Sequence, residues 1–417
     1  TGNFHVKYNE DTVAFLPIEF LHDGVPQLQL ESEWNPPQLT QFTPPQNANH
    51  SEILLKMLAR PNIASKETWV RQYDHEVIAQ TAVKPFVGVE RDGPGDAGLI
   101  APIHGSTHGI VVSCGINPRY SDIDAGAMAA ASIDEAVRNA VCVGVDIDKI
   151  AGLDNFCWPD PIESEKTPDG KFKLAQLVRA NRELERVCRA YRLPCVSGKD
   201  SMKNDYGKGE NKISIPPTLL FSLFGDHPDV RMTATSDLKD ADERLYLVGE
   251  STDELGASEL SFMFRDENPS MGIGGNVPSL PNPENNLNTY RTLSRTIRQG
   301  LVQTSHDCSE GGLGVAIAEM CIGGRIGATI DLDGTGDSSL WARLWGESLG
   351  RFIIGVKPEN EQSWLKEMAG HNVTYLGKTE QQNNLVISDG FDEIINLDVE
   401  DLVSSWQKTL DMTGGAQ

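Results

Sequence analysis

The sequence predicts an α/β (α+β) protein with two domains in tandem, and three observations support that fold class. Strands alternate with helices from Asn62 to Phe224, and a second alternation of the same kind begins near Val230. Positions 31–50 are rich in Pro, Gln and Asn, and they separate these two alternating regions from the first residues of the chain. We therefore expect residues 1–50 to be the end of a preceding domain and a linker, residues 51–228 a first domain, and residues 229–417 a second.

The first fifty residues predict two short strands before the linker. Phe4–Tyr8 and Thr12–Pro17 alternate as strands do, and Phe20–Gly24 predicts a turn. The chain begins at Thr1, without Met, and the strand pattern starts at once. We therefore expect a fragment of a longer polypeptide.

The predicted first domain is built around one long helix. Gly126–Gly144 has apolar residues at helical spacing, and a shorter helix runs from Ser51 to Pro61. The other elements predicted here are a helix at 66–73, strands at 85–89, 97–101 and 109–114, a helix at 174–191, and strands at 194–197 and 213–224.

The predicted second domain repeats the alternation. Leu245–Gly249 and Arg351–Val356 predict buried strands, and Leu287–Gln299 predicts a helix that Gly300 ends. The helix Leu313–Cys321 follows a polar turn.

Composition excludes several function classes. Sixty acidic against 36 basic residues give a net charge of −24, which opposes nucleic-acid binding and leaves phosphates to local lysines and metal ions. No apolar run approaches the length of a membrane span. The 7 cysteines form no CxxC pair, which favours a reducing, cytoplasmic location.

The stretch Ser197-Gly198-Lys199-Asp200-Ser201 carries the densest chemistry. It places a flexible backbone, a cation, a carboxylate and a hydroxyl together, as a nucleotide-phosphate and magnesium site requires. The alternative is a polar turn after an apolar strand. The stretch is not a P-loop, because Leu193 and Asp200 stand where that motif needs Gly and Ser or Thr, and no GxGxxG motif is present.

Two further constellations offer oxygen ligands. Glu135 and Asn139 lie four residues apart and so share one helical face, although from the residues alone a capped helix with a solvated polar face is the favoured interpretation. Asp307 and Ser309 stand in the turn His306–Gly312, which precedes a helix. Ser309 is either the helix cap or part of an anion site, and Asp307 could bind a metal.

Nine motifs in order resemble phosphoribosylformylglycinamidine synthase, a family that belongs with aminoimidazole ribonucleotide synthetase. They are RPNIASKE, GINPRYSDID, SIDEAVRN, LDNFCW, SGKDSMKNDY, ISIPPTLL, DELGASE, HDCSEGGL and GESLGRFI. The resemblance covers residues 1–400 and matches the second half of that family's synthetase chain. It implies N-terminal and C-terminal synthetase-like domains in tandem.

The resemblance also implies a reaction. ATP activates the formamide oxygen of formylglycinamide ribonucleotide, and ammonia displaces the phosphate to form the amidine in purine synthesis. Such a carbon–nitrogen ligase relies on positioning and magnesium rather than on a protein nucleophile. The implied partners are the first half of the synthetase chain and a glutaminase subunit or domain that supplies ammonia.

Family motifs assign the site residues. Asp154, Gly198 and Lys199 would contact the catalytic ATP, Asp200 would bind magnesium, and Ser201 would contact the substrate. A pseudo-equivalent site holding ATP or ADP with magnesium would use six further residues: Lys66, Asp96, Glu135, Asn139, Asp307 and Ser309.

The family's catalytic histidines belong to the first half. His104 and His108 are therefore interpreted as loop residues, with no catalytic residue expected in this chain. Two alternatives remain open. The chain could be a non-catalytic nucleotide-binding and assembly module, or a self-sufficient synthetase that forms a homodimer.

Overall fold

The computed structural model describes residues 2–207 and 211–410. Within these residues, no helix combines the length and apolar character needed to cross a membrane.

A hairpin and a short helix come first. Strands β1 (Asn3–Tyr8) and β2 (Asp11–Pro17) pair antiparallel, and helix α1 (Ile18–Asp23) follows. The predicted turn at Phe20–Gly24 is wrong, because the Gly24 N–H donates to the Phe20 carbonyl at 2.9 Å and completes a helical turn. Most of the hairpin's side chains are exposed.

The first domain-like region holds a six-stranded sheet. Its elements are α2 (His50–Leu58), α3 (Glu67–Val70), β3 (Thr81–Val83), β4 (Phe86–Val87), β5 (Gly93–Pro94), β6 (Gly98–Ile100), β7 (Gly109–Ile116), α4 (Ala125–Cys142), β8 (Ile150–Cys157), α5 (Gly170–Tyr191), β9 (Cys195–Ser201), β10 (Asp205–Tyr206), β11 (Ile213–Ser214) and β12 (Thr218–His227). The strand order is β3-β6-β7-β12-β8-β9, antiparallel except for the parallel pair of β8 and β9.

Helix α4 covers one face of this sheet. It packs on β7 and β12 and against α5. The approach is so close that a Cβ on Gly115 would lie 2.1 Å from the Ser132 carbonyl oxygen. Side chains of β7 therefore alternate, with Val111 buried under the helix and Val112 half exposed on the opposite face.

Two predictions for this region are wrong in instructive ways. The turn expected at Gly198–Ser201 continues as strand β9, because β8 offers a parallel edge that satisfies its backbone. The single strand expected at 213–224 is split into β11 and β12 by Pro216 and Pro217, which lack the N–H groups a ladder needs.

The second region holds a seven-stranded sheet. Its elements are β13 (Arg244–Val248), α6 (Glu259–Glu267), α7 (Pro283–Arg298), β14 (Thr304–Asp307), α8 (Gly312–Gly324), β15 (Gly327–Asp331), α9 (Leu340–Trp345), β16 (Phe352–Val356), α10 (Glu361–Glu367), β17 (Val373–Glu380), β18 (Asn384–Asp389), β19 (Asp392–Asp398) and α11 (Val399–Lys408). The strand order is β14-β16-β13-β17-β15-β18-β19, with β15 and β18 parallel.

Helix α4 also joins the two regions, since it contacts both β14 and α7. The junction is centred on Asp134, which is fully buried. Its carboxylate accepts hydrogen bonds from Tyr191 at 2.5 Å, Tyr290 at 2.7 Å and Arg138 at 2.8 Å. Tyr191 lies on α5 of the first region and Tyr290 on α7 of the second, so the buried carboxylate of α4 links the two regions.

Candidate functional site

A cavity of about 170 Å³ lies where α4 meets the second sheet. Its walls come from α4, the end of β14, α8 and the segment after β5. The cavity is lined mainly by oxygen-bearing side chains: Asn62, Asp96, Glu135, Asn139, Asp307, Ser309, Glu310 and Glu319, together with His306. Five of the six residues predicted for the pseudo-equivalent site are in this set.

Asp96 and His306 form one wall. The Nδ1 of His306 lies 2.8 Å from Asp96 Oδ1, and its Nε2 lies 3.1 Å from Glu319. Burial opposes protonation, but the two carboxylates raise the pKa of His306 well above its ordinary value. Asp96 Oδ1 also accepts from the Asp307 N–H at 3.3 Å, whereas its buried Oδ2 has no hydrogen-bond partner among the residues that the structure describes. That oxygen is free to bind a cation.

Asp307 is held beside Asp96 by a buried arginine. Arg138, 2% exposed, donates to Asp307 at 2.6 Å and to the Cys308 carbonyl at 2.9 Å. Burial raises the pKa of Asp307, and Arg138 only partly opposes that effect. One ligand atom each from Asp96, His306 and Asp307 lie within 4.8 Å of one another. The two carboxylates suit one metal ion, whereas both ring nitrogens of His306 already contact carboxylates.

Glu135 and Asn139 project from α4 on the face that the spacing predicts. Glu135 accepts from the Ile116 N–H at 3.0 Å and from the Asn117 amide at 2.7 Å. Burial, then repulsion from Glu310 and Asp307, raises the pKa of Glu135 well above its ordinary value. The cavity thus concentrates carboxylates that repel one another, an arrangement that a bound cation relieves.

Lys66 lies near this group without lining the cavity. Its ammonium donates to the carbonyls of Ala64 at 2.6 Å and Asn62 at 3.0 Å. Burial lowers the pKa of Lys66, against the attraction of Glu319 and Glu310.

The helix start beside the cavity differs from one predicted alternative. Ser309 does not cap α8; the cap position is Gly311, with φ of 79°, and no side-chain cap is present among the described residues. Glu347 instead accepts from the Gly311 N–H at 2.9 Å, and burial raises the pKa of Glu347 to about 7. Ser309 contacts Asp307 and Arg138.

The second predicted group lies on the edge strand β9. Gly198 pairs with Asp154 of β8, and a Cβ on Gly198 would lie 2.2 Å from Asp154 Oδ1. Burial, then Asp200, raises the pKa of Asp154. Alternation along the strand puts Lys199 and Ser201, which contact each other, on one face and Asp200 on the other. The side chains predicted to bind nucleotide, magnesium and substrate are therefore divided between the two faces of β9.

Sequence reasoning missed several residues of the cavity. His306 was seen only as part of its turn, and Glu310 and Glu319 were given no ligand role. His306 and Glu319 are 13 residues apart, on β14 and α8, so only the tertiary fold brings them together. His104 and His108 lie in the segment between β6 and β7, as predicted, contacting Gln80 and Asp226.

Two family profiles match this chain. Residues 94–216 match the profile "AIR synthase related protein, N-terminal domain" and residues 240–390 match "AIR synthase related protein, C-terminal domain". The chain therefore belongs to the AIR synthase related proteins, and the predicted tandem fold class is confirmed.

Within that family the chain groups with the phosphoribosylformylglycinamidine synthases, as the motifs predict. It is 32% identical over 364 residues to phosphoribosylformylglycinamidine synthase subunit PurL of Deinococcus radiodurans. The alignment covers 86% of this chain and 46% of that protein. The chain thus spans about half the length of the curated relative it matches.

Solved structures share the fold. PurL of Thermotoga maritima complexed with FGAR aligns with a TM-score of 0.61 and 14% identity, over 85% of this chain and 53% of that one. The same protein complexed with ATP gives 0.57 and 13%, over 87% and 53%. A HypE–HypF complex gives 0.55 and 12%, over 80% and 97%.

Proposed function

We propose that this chain supplies half of the synthetase unit of a phosphoribosylformylglycinamidine synthase, a cytoplasmic carbon–nitrogen ligase of purine biosynthesis. The unit would convert formylglycinamide ribonucleotide to formylglycinamidine ribonucleotide with ATP and ammonia. The relationship to PurL of Deinococcus radiodurans supports this reaction. The structural observation that supports nucleotide binding by this chain is the carboxylate-lined cavity where α4 meets the second sheet.

The cavity suits a nucleotide bound with Mg²⁺. Carboxylate and amide oxygens are the ligands that Mg²⁺ prefers, and Asp96 Oδ2, which has no hydrogen-bond partner in the described part of the chain, is available as one. We assign Asp96, Glu135, Asn139 and Asp307 to the metal, and Lys66 and Ser309 to the nucleotide. When bound, Mg²⁺ neutralises phosphate charge. The protein's part is to orient these oxygens and exclude water.

A second nucleotide position would use the edge of the first sheet. There Asp154, Gly198 and Lys199 would face ATP, Asp200 would hold magnesium and Ser201 would contact substrate. All but Asp154 lie on β9, whose side chains are exposed apart from the partly buried Ser201. An exposed edge strand gives a reacting phosphate too few enclosing groups, so this position needs residues from another part of the enzyme.

The missing groups would come from the first half of the synthetase chain. The uncovered face of the six-stranded sheet supports such a partner, since Ile110, Val112 and Ile116 on β7 and Phe224 on β12 are between 39% and 50% exposed. We further propose a glutaminase subunit or domain as the source of ammonia, and residues 51–228 and 229–417 as the two domains.

A non-catalytic nucleotide-binding module is the second candidate. The buried Arg138 favours it, because this fixed cation already pairs with Asp307 of the cavity lining. Such a cation suits a nucleotide held for structure, and this is the role we propose for the cavity itself. The chemistry would then take place only at the position on β9.

The experiment is an assay of phosphate release with the chain alone and with the first half added. We expect release from ATP only when both halves, formylglycinamide ribonucleotide and ammonium are present. Gel filtration of the chain alone shows whether it forms a dimer, as the remaining alternative, a self-sufficient homodimeric synthetase, requires. Substrate-dependent phosphate release by a dimer of this chain would contradict the proposal.

A further inference from the structure

The chain contains the same hairpin-and-helix unit twice. β1 and β18 each have 6 residues, and β2 and β19 each have 7. Each hairpin turn begins with a residue of positive φ, Asn9 at 54° and Gly390 at 62°. A helix starts directly after each second strand, at Ile18 and at Val399.

The pairing register is also identical. In both hairpins the register shifts once, after the fourth residue of the first strand. Corresponding pairs from the open end are Asn3↔Pro17 and Asn384↔Asp398, Phe4↔Leu16 and Leu385↔Leu397, His5↔Phe15 and Val386↔Asn396, Val6↔Ala14 and Ile387↔Ile395, Lys7↔Thr12 and Ser388↔Glu393, and Tyr8↔Asp11 and Asp389↔Asp392. A shared bulge at one position is a specific feature of a strand pair.

The second unit completes a sheet. β18 pairs in parallel with β15, and one face of the unit is buried in the core of the C-terminal region. The residues on that face are at most 1% exposed: Leu385, Ile387, Ile395, Val399 and Leu402.

The first unit has the same apolar face, but there the apolar side chains are exposed. Phe4, Val6, Ile18 and Leu21 occupy the positions of Leu385, Ile387, Val399 and Leu402. Their exposures are 50%, 38%, 42% and 43%. Among the described residues, the extensive element contacts of β1 and α1 are with β2.

We propose that residues 3–23 complete the sheet of a second domain of the AIR synthase C-terminal type, outside residues 229–417. β1 would pair in parallel with that domain's counterpart of β15. The backbone edge of that strand would be free, and apolar side chains would alternate along the strand. This deepens the proposed association with another synthetase half by naming the surface and its partner.

The sheet described above cannot be that partner. Its β15 edge is already taken by β18, and Leu402 and Trp406 of α11 are buried over it. A second copy of this chain would have to displace all of these groups. The relatives have room for another such domain, because the chain spans only 53% of Thermotoga maritima PurL.

Hydrogen exchange with mass spectrometry tests the proposal on the natural polypeptide that carries these residues. We expect the amides of β1 to be protected at least about tenfold over the chain of residues 1–417 alone. Phe4→Asn should abolish the protection. The matched control is Phe15→Asn, the same substitution on the opposite face of the hairpin, where the second unit has the exposed Asn396; it should leave protection unchanged.

Three results would overturn the proposal. The first is equal exchange of β1 in both polypeptides, and the second is equal loss of protection in the Phe4 and Phe15 variants. The third is protection that depends on protein concentration and accompanies a dimer, which would assign the hairpin to a second copy. Because the readout is exchange rather than turnover, failure of the proposed reaction would leave this result unaffected.

Discussion

Replacing Glu135 by Gln separates the cavity's binding role from its structural role. The carboxylate is 9% exposed, and one oxygen accepts both the Ile116 N–H and the Asn117 amide. Gln keeps an acceptor for those two donors but removes the charge offered to a cation. It also removes repulsion with Asp307 and Glu310. The ligand-free variant should therefore be as stable as the wild type, or more stable.

The bound state should respond in the opposite direction. A ligand at 100 times its dissociation constant stabilises the folded state by about 2.7 kcal/mol. At about 2–4 °C per kcal/mol, Mg·ADP should raise the wild-type melting temperature by about 5–10 °C. If Glu135→Gln weakens binding about 100-fold, the same concentration contributes only about 0.4 kcal/mol, or about 1 °C.

The assay is thermal unfolding with and without Mg·ADP. The control is Glu185→Gln, a matched change at an exposed glutamate of α5 that pairs with Arg189; it should retain the full shift. Turnover of the complete enzyme at saturating ATP should change little in Glu135→Gln. An unchanged nucleotide-induced shift in that variant would refute the assignment, and so would a collapse of turnover with the shift intact.

Three other predictions concern turnover, folding and pH. In the complete enzyme, Asp200→Asn or Ser201→Ala should lower kcat by about 10²-fold, because charge stabilisation is lost. Chemical denaturation should show a free energy of unfolding within about 0.5 kcal/mol of the wild type, since the strand is exposed. Wild-type turnover in either variant would remove β9 from the mechanism. Arg138→Met should destabilise the chain by about 3–5 kcal/mol in urea unfolding, since it leaves buried carboxylates unpaired, and a loss below about 1 kcal/mol would contradict the junction described here. Burial raises the pKa of Glu347 from its ordinary 4.5 to about 7, so between these pH values the folded state holds a proton that the unfolded chain has lost. The unfolding free energy should therefore fall by up to about 3 kcal/mol as pH rises from 4.5 through 7. Urea melts that show a flat or rising unfolding free energy over this range would contradict the prediction.

The sequence predicts local structure well where one helix face is apolar. Gly126–Gly144 was expected as a helix and α4 spans Ala125–Cys142, because its apolar spacing agrees with its burial against the sheet. Prediction fails where a distant partner decides the conformation. β9 contains a Gly, a Lys and an Asp that favour a turn, and only pairing with β8 makes it a strand.

The candidate site was predictable in part for the same reason. The position of Glu135 and Asn139 on one face of α4 follows from helical periodicity alone. The neighbourhood of Asp96, His306 and Glu319 depends on how three separate segments pack, which no local pattern encodes. Glu347 follows α9 in sequence, and only the folded chain brings it to the start of α8, where it accepts from the Gly311 N–H.

The central claim, that this chain is one half of an amidine-forming synthetase, is tested most directly by transfer of nitrogen. The measurement is mass spectrometry of the ribonucleotide after incubation with ATP, Mg²⁺ and isotopically labelled ammonium, using this chain with and without the first half. We predict labelled formylglycinamidine ribonucleotide only when both halves are present. Labelled product from this chain alone, or none from the two together, would contradict the account.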